Sequence, residues 1–163
     1  MSGNLQISQR DEGKLSIIKF AGRIDQEADY SVLVFEEGQI VVFDFEEVKF
    51  INSSGIQKWI GFFAEIPDNT QIEFVKCPLR IITQINLIPD FLCNKKVTVS
   101  SFYAPYFCEE CDESKNILLN TESYFPDSKS PQAPEMNCEH CGAEMEFDGL
   151  EKKYFTFLTR SSA

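Results

Sequence analysis

The sequence predicts an α/β fold in which a mixed sheet is backed by helices, followed by a small C-terminal unit built around four cysteines. Two observations support this prediction. Strand-like and helix-like segments alternate from residue 20 to residue 100, a pattern typical of a mostly parallel or mixed sheet with helices packed on it. Beyond them, two Cys-x-x-C pairs flank a proline-rich segment. We therefore divide the chain into a first domain at 1–103 and a second at 104–163.

The composition favours a globular protein and argues against two kinds of partner. Of the 163 residues, 43% are hydrophobic and 13% aromatic, enough to bury a sizeable core. The net charge of -11 argues against binding to the nucleic-acid backbone. No apolar run approaches the ~20 residues of a membrane-spanning helix, and the N-terminus lacks the basic and apolar regions of a signal peptide. We expect no membrane span and a cytoplasmic location.

The N-terminal segment predicts a hairpin followed by a short helix. Residues 5–8 and 15–20 are strand-like and flank a turn that contains Gly13, whose backbone tolerates positive φ. Residues 26–34 predict a short helix, although their β-branched side chains lower the helix propensity of this segment.

The centre of the chain predicts a buried strand, a turn and an amphipathic helix. Residues 40–45 form a short apolar run, as in a strand covered on both faces, and residues 46–49 are turn-like. Asn52 and two serines then mark a helix N-terminus, because their side-chain oxygens accept from the unpaired N–H groups of a first turn. The helix is expected over residues 53–65. Its apolar face is formed by four side chains: Ile56, Trp59, Ile60 and Phe63.

Two further strands, at residues 71–75 and 97–99, are predicted on either side of a second helix. Pro78 suits the first turn of that helix. Its apolar face is formed by isoleucines: Ile81, Ile82, Ile85 and Ile88.

Ser53 and Ser54 lie at the predicted N-terminus of the central helix. Several backbone N–H groups and the positive end of the helix dipole converge there, so a phosphate on either serine would be stabilised. The residues alone leave two interpretations open: the serines act only as helix caps, or one of them accepts a phosphate.

Three segments carry a family resemblance through their residues and their order. They are Gly22-Arg23-Ile24-Asp25, Phe50-Ile51-Asn52-Ser53-Ser54-Gly55 after the buried strand, and Glu73-Phe74-Val75-Lys76-Cys77 before the proline-started helix. Over residues 1–101 the chain resembles the STAS domain, the family of anti-sigma factor antagonists. The resemblance implies a small α/β domain that binds protein partners without carrying out chemistry.

In STAS members regulated by phosphorylation, the second serine of the loop accepts a phosphate from a partner kinase. The resemblance gives that position to Ser54 and implies a phosphoacceptor and partner-binding site made of five residues: Asp25, Asn52, Ser53, Ser54 and Gly55. Two features depart from the family. Asn52 stands where regulated members usually have Asp, and the segment between Asp25 and Asn52 is short, which implies a truncated first helix.

Six cysteines fall into two groups. Cys77 and Cys93 lie alone among apolar residues and are predicted to be buried packing residues. The others form two Cys-x-x-C pairs: Cys108, Cys111, Cys138 and Cys141. Four thiolates at this spacing can surround a tetrahedral ion, and Zn²⁺ is the usual occupant. A disulfide or redox site is the alternative, and it would need an oxidising compartment or a thioredoxin-like frame.

The second unit resembles a zinc ribbon, with strands expected at 116–120 and near 145–147. His140 could replace one cysteine ligand, but four cysteines already complete a closed shell, so Zn²⁺ is expected to be structural. Four aromatic residues lie near the C-terminus: Phe147, Tyr154, Phe155 and Phe157. They either fill the small core of the second unit or dock this unit on the first domain. Any of them that is exposed would mark a partner site.

The sequence favours a binding protein over an enzyme. No nucleophile–base pair or phosphate-cradling glycine loop is apparent. Residues 104–163 hold 12 Asp and Glu against 5 Lys and Arg, a net of -7, which disfavours nucleic-acid binding by the ribbon. We expect a regulatory adaptor that binds a protein partner such as an anti-sigma-type serine kinase. The alternatives are a constitutive scaffold or assembly subunit without a phosphoswitch, and a ribbon that binds nucleic acid.

Overall fold

The structure is a computed structural model that describes residues 4–126 and 129–160. Its strands and helices are, in chain order, β1 (Gln6–Glu12), β2 (Leu15–Ile24), β3 (Ile40–Ile51), α1 (Ser53–Ala64), β4 (Gln71–Val75), α2 (Leu79–Leu87), a 3-10 helix (Pro89–Leu92), β5 (Val97–Val99), β6 (Ser101–Cys108), β7 (Glu113–Asn120), α3 (Thr121–Tyr124), β8 (Met136–Asn137), β9 (Glu144–Phe147), α4 (Glu151–Tyr154) and α5 (Thr156–Arg160).

The first sheet is mixed, as predicted. Its strand order is β1-β2-β3-β4-β5. The β1–β2 hairpin is antiparallel, and the remaining neighbours pair in parallel. The predicted helices after Asn52 and Pro78 are confirmed as α1 and α2, and the predicted strands at 71–75 and 97–99 as β4 and β5.

Trp59 of α1 lies at the centre of the aromatic core that joins α1 to the first sheet. Its ring is fully buried and stacks on Phe63 and Phe91, with ring centroids 4.9 and 5.5 Å apart. Its indole Nε1–H donates to the Phe91 carbonyl oxygen at 3.0 Å. A buried indole requires such an acceptor, because an unpaired polar group in the core is costly.

The helix predicted within residues 26–34 is not formed. This segment consists of turns, because acidic side chains take the backbone N–H groups that a helix would use. Asp25 Oδ1 accepts from the N–H of Glu27 at 3.0 Å, and Asp29 Oδ1 accepts from the N–H of Ser31 at 2.9 Å. Tyr30 then anchors the segment by stacking on a ring of α1.

The turn predicted at 46–49 is also wrong, because β3 continues to Ile51. The strand accommodates its polar residues through two register shifts against β2, after Lys19 and after Gly22. Asp44 Oδ1 accepts the Glu46 N–H at 3.0 Å at the first irregularity. An Asp whose side chain accepts the N–H two residues further on is typical of turns. The same residue pattern occurs here inside a bulged strand, so the sequence predicted a turn.

The second sheet is antiparallel, with the order β7-β6-β9-β8. Strand β6 was not predicted, and it crosses the predicted domain boundary between residues 103 and 104. Alternate β6 side chains are buried: Phe102, Ala104, Tyr106 and Cys108.

Hydrogen bonds join the second sheet to the first part of the chain. Tyr154 lies at the junction: its hydroxyl donates to the Tyr103 carbonyl oxygen at 2.6 Å, and its own carbonyl oxygen accepts from Asn86 Nδ2 at 2.9 Å. Phe155 and Phe157 are buried against Phe102. The C-terminal aromatic residues therefore fill a core that is continuous between the two sheets.

Among the helices of the described residues, none combines the length and apolar character needed to cross a membrane.

Replacing Trp59 by Phe should lower the free energy of unfolding by about 2 kcal/mol, because it removes the indole N–H donor and leaves a small cavity. Urea denaturation monitored by circular dichroism measures the change. Gln57→Ala is the matched control on the exposed face of α1 and should shift stability by less than about 0.5 kcal/mol. Equal effects of the two substitutions would contradict the central role of Trp59.

Candidate functional site: a four-cysteine cluster and a serine loop

Two turns at the same end of the second sheet carry the four predicted cysteines. Strand β6 ends at Cys108, and the following turn presents Cys111. Cys138 follows β8 directly, and its N–H donates to the Ala143 carbonyl oxygen at 2.8 Å, which closes the turn that presents Cys141. Antiparallel pairing through β9 brings the two turns together.

The four sulfur atoms form one compact cluster. Cys108 Sγ lies 3.5 Å from Cys141 Sγ, Cys111 Sγ lies 3.8 Å from Cys138 Sγ, and all four sulfurs lie within 4.8 Å of one another. Disulfide sulfurs are bonded at about 2.05 Å, and all four cysteines are free thiols. Ligand sulfurs at about 2.3 Å from a tetrahedral ion are separated by about 3.8 Å. The cluster therefore has the donor set and spacing to hold a metal ion.

Backbone N–H groups favour the thiolate form of Cys138. Those of Cys141 and His140 point to Cys138 and lower the pKa of its thiol to about 6. By contrast, hydrogen bonding with the thiols of Cys141 and Cys138 raises the pKa of Cys111 to about 12. Four thiolates this close repel one another, and a bound cation would offset that repulsion.

His140 is exposed and is not one of the four clustered ligand residues. The two remaining cysteines lie elsewhere. Cys77 is fully buried, as predicted, and burial raises its pKa. Cys93 is only partly buried, contrary to the prediction; it follows the 3-10 helix with its backbone in the left-handed region at φ 52°.

Cys138→Ser should abolish most of the metal binding and lower the free energy of unfolding by at least about 2 kcal/mol, since a structural metal site contributes directly to folding. Elemental analysis of the purified chain, together with urea denaturation, measures both effects. Cys93→Ser is the matched control outside the cluster and should retain one metal ion per chain. Wild-type protein that contains no metal would contradict the assignment.

The serine loop is the corner where β3 ends and α1 begins. Asn52 caps the helix: its backbone is extended, with φ -126° and ψ 178°, and its Oδ1 accepts from the Gly55 N–H at 2.8 Å. Ser53 and Ser54 occupy the first turn and are both exposed. The Asn52 side chain therefore does the capping, and both serine side chains lie on the surface.

Gly55 fixes this corner to the end of β2. A Cβ atom at position 55 would lie 1.9 Å from the Ile24 carbonyl oxygen and 2.8 Å from the Asp25 backbone nitrogen. Asn52 also donates its N–H to the Ile24 carbonyl oxygen at 3.2 Å. The structure thus brings Asp25 to the serine loop, because the parallel strands β2 and β3 end side by side.

Sequence reasoning gave no role to two side chains that flank Asp25. The Arg23 guanidinium lies over the Phe50 ring, 3.7 Å from its centroid, and Arg23 Nε lies 3.4 Å from Asp25 Oδ2. Arg23 and Phe50 are direct cross-strand partners. Only a correct alignment of β2 with β3 could have predicted their contact from the sequence. Arg23 therefore places a cation beside the Asp25 carboxylate, and the Phe50 ring packs against that cation.

Gly55→Ala should lower the free energy of unfolding by at least about 3 kcal/mol, because the new methyl group would overlap backbone atoms that belong to a strand. The matched control is Gly61→Ala in the same helix, where a Cβ meets no atom within 4 Å. Removing an exposed helical glycine should stabilise the protein by about 0.5–1 kcal/mol. Denaturation curves for the two variants that shift in the same direction would contradict the close approach of Gly55 to Ile24.

In comparisons with known proteins, no protein-family model and no curated protein matches the chain.

Proposed function

We propose that this protein is a non-enzymatic cytoplasmic regulatory adaptor, with a STAS-like first part and a second part that resembles a zinc ribbon. The serine loop would bind a protein partner, such as an anti-sigma-type serine kinase, and Ser54 would be the phosphoacceptor. One observation carries the proposal: both serines are exposed in the first turn of α1, while Asn52 and Gly55 hold that turn on the end of β2.

The electrostatics of the serine loop support a phosphorylated state. The first N–H groups of a helix and its dipole attract anions, and the described first turn of α1 contains no acidic residue to compete. A phosphate on Ser54 would add about -1.5 to -2 charges at this point. Because the exposed side chain needs no rearrangement to receive it, the modification would alter the surface offered to a partner and leave the core intact.

The arrangement of the first sheet supports the STAS resemblance. A hairpin followed by alternating helices and parallel strands is the kind of small α/β domain that the resemblance implies. The replacement of Asp by Asn52 preserves the cap, since its Oδ1 accepts the Gly55 N–H. Acceptance of a phosphate by Ser54 would then depend on the partner kinase and on the neighbouring Asp25.

The proposed metal is Zn²⁺, and its proposed role is structural. Four sulfur donors at tetrahedral spacing are typical of zinc, and such a shell leaves no position for a substrate. Cys108 and Cys138 directly end or follow β-strands. The ion would therefore fix the end of the second sheet.

A constitutive scaffold is the second candidate, and the segment before β3 favours it. Val32 and Val34 are 63% and 64% exposed on the turns that replace the expected helix. Such a surface can bind a partner regardless of phosphorylation.

Ser54→Asp should release a switch-controlled partner, because the added carboxylate places a negative charge at the start of α1. The partner is first identified by affinity purification of the tagged wild-type chain from its native cells, and phosphosites are mapped in the same sample. Recovery of that partner should fall at least about tenfold with Ser54→Asp, a change of about 1.4 kcal/mol in binding free energy.

Ser114→Asp is the matched control, since Ser114 is exposed on β7, outside the serine loop and the segment before β3, and it should retain the partner, as should Ser54→Ala. Unchanged recovery with Ser54→Asp, together with no phosphate on Ser53 or Ser54, would contradict the switch and favour the scaffold.

A further inference from the structure

A groove of about 280 Å³ lies between α2 and the segment that joins β9 to α4. Two leucines line its opposite sides and are largely exposed: Leu87 by 59% and Leu150 by 73%. Phe147 and Tyr154 contribute partly buried aromatic rings. When exposed aliphatic side chains lie on both sides of an apolar groove, a partner that covers them lowers the free energy by removing apolar surface from water.

The groove is preformed by contacts that belong to the fold. Asn86 donates to the Tyr154 carbonyl oxygen at 2.9 Å, and the Tyr154 hydroxyl donates to the Tyr103 carbonyl oxygen at 2.6 Å. The rings of Phe147 and Tyr154 lie 5.8 Å apart, centroid to centroid. A ligand would therefore meet a wall that is already ordered, which reduces the entropy cost of binding.

The surface next to the groove is strongly acidic. A second recess of about 380 Å³ shares Phe147 and Gly149 with the groove. Four glutamates line this recess: Glu135, Glu144, Glu146 and Glu151. Among the residues that line the groove itself, the charged ones are Asp148 and Lys153. The combined surface therefore carries a net negative charge beside an apolar slot, and it complements a ligand that is both basic and apolar.

We propose that this groove binds a basic peptide segment of a partner protein. One large apolar side chain of the peptide would lie between Leu87 and Leu150, and its Lys or Arg side chains would lie along the glutamates of the adjoining recess. Two open recesses side by side suit an extended chain with several side chains. The inference builds on the proposed adaptor role, for which it supplies a second contact surface, but it does not depend on Ser54.

Three fluorescein-labelled peptides of equal length test the inference against the full-length, metal-loaded chain. The first places one Phe at the centre of a sequence of Lys and Ser, the second replaces Lys by Glu, and the third replaces Phe by Ser. Fluorescence anisotropy at low and high salt gives the affinities. The first peptide should bind most tightly, at least about tenfold more tightly than either of the others, and should weaken with salt.

Substitutions in the chain locate the binding surface. The double variant Leu87→Ser/Leu150→Ser should weaken the first peptide at least about tenfold, since a large apolar side chain buried on binding contributes about that much or more. Leu118→Ser is the matched control: Leu118 is 41% exposed on β7 and does not line the groove. Glu144→Gln/Glu146→Gln should reduce the salt dependence. Thermal denaturation verifies that each variant is folded.

Several results would overturn the inference. These are no binding of the first peptide, equal binding of the Glu peptide, equal binding of the peptide without Phe, and undiminished binding by the folded double leucine variant. Ser54→Asp should bind the first peptide as the wild type does. If the first peptide does not bind but Ser54→Asp releases the native partner, the groove inference fails and the adaptor role stands. If the first peptide binds but Ser54→Asp releases no partner, the phosphoswitch fails and the groove inference stands.

Discussion

The backbone bridge between Cys77 and β6 is the constraint on which the second half of the molecule depends. The Cys77 N–H donates to the Ser101 carbonyl oxygen at 3.3 Å, and the Tyr103 N–H donates to the Cys77 carbonyl oxygen at 2.8 Å. Ser101 Oγ also accepts from the Lys76 N–H at 2.8 Å. The chain passes here from the edge of the first sheet into the second sheet, and these bonds pair backbone groups that would otherwise be buried without partners. Phe102, which lies in this passage, is completely buried.

Strand β6 thereby connects three features that lie far apart in the sequence. Near its start, the Tyr103 hydroxyl donates to Glu46 of β3, an interaction that lowers the pKa of Glu46 and raises that of Tyr103 to about 12. In its middle, Pro105 lines the apolar groove. At its end, Cys108 enters the sulfur cluster. A metal ion at Cys108 would therefore support the same strand that forms the groove and contacts the first sheet, which unites the proposed structural metal with the proposed second binding surface.

The sequence specified what depends on local periodicity and spacing, and it missed what depends on tertiary pairing. Helix α1 could be predicted because Asn52 is a cap and its apolar residues follow one face, and the cysteines because two short spacings define two turns. Strand β6 was missed because Pro105 interrupts its run of strand-forming residues, although the strand forms a hairpin with β7 and also pairs with the more distant β9. Residues 26–34 formed turns since Asp25 and Asp29 capture backbone N–H groups. The corner formed by Gly55 and Ile24 required knowledge of which strands are adjacent.

Hydrogen–deuterium exchange of the full-length chain, before and after metal removal by a chelator, measures whether an ion bound by the four cysteines stabilises β6. Such an ion would hold the Cys108 end of the strand, beyond the residue that lines the groove. Elemental analysis would verify that the metal has left. We expect the amides at the Cys108 end of β6 to lose protection together with those near the cysteines, while the Tyr103 amide, which donates to the Cys77 carbonyl oxygen, stays protected. Unchanged protection at the Cys108 end of β6 in verified metal-free protein would contradict this expectation.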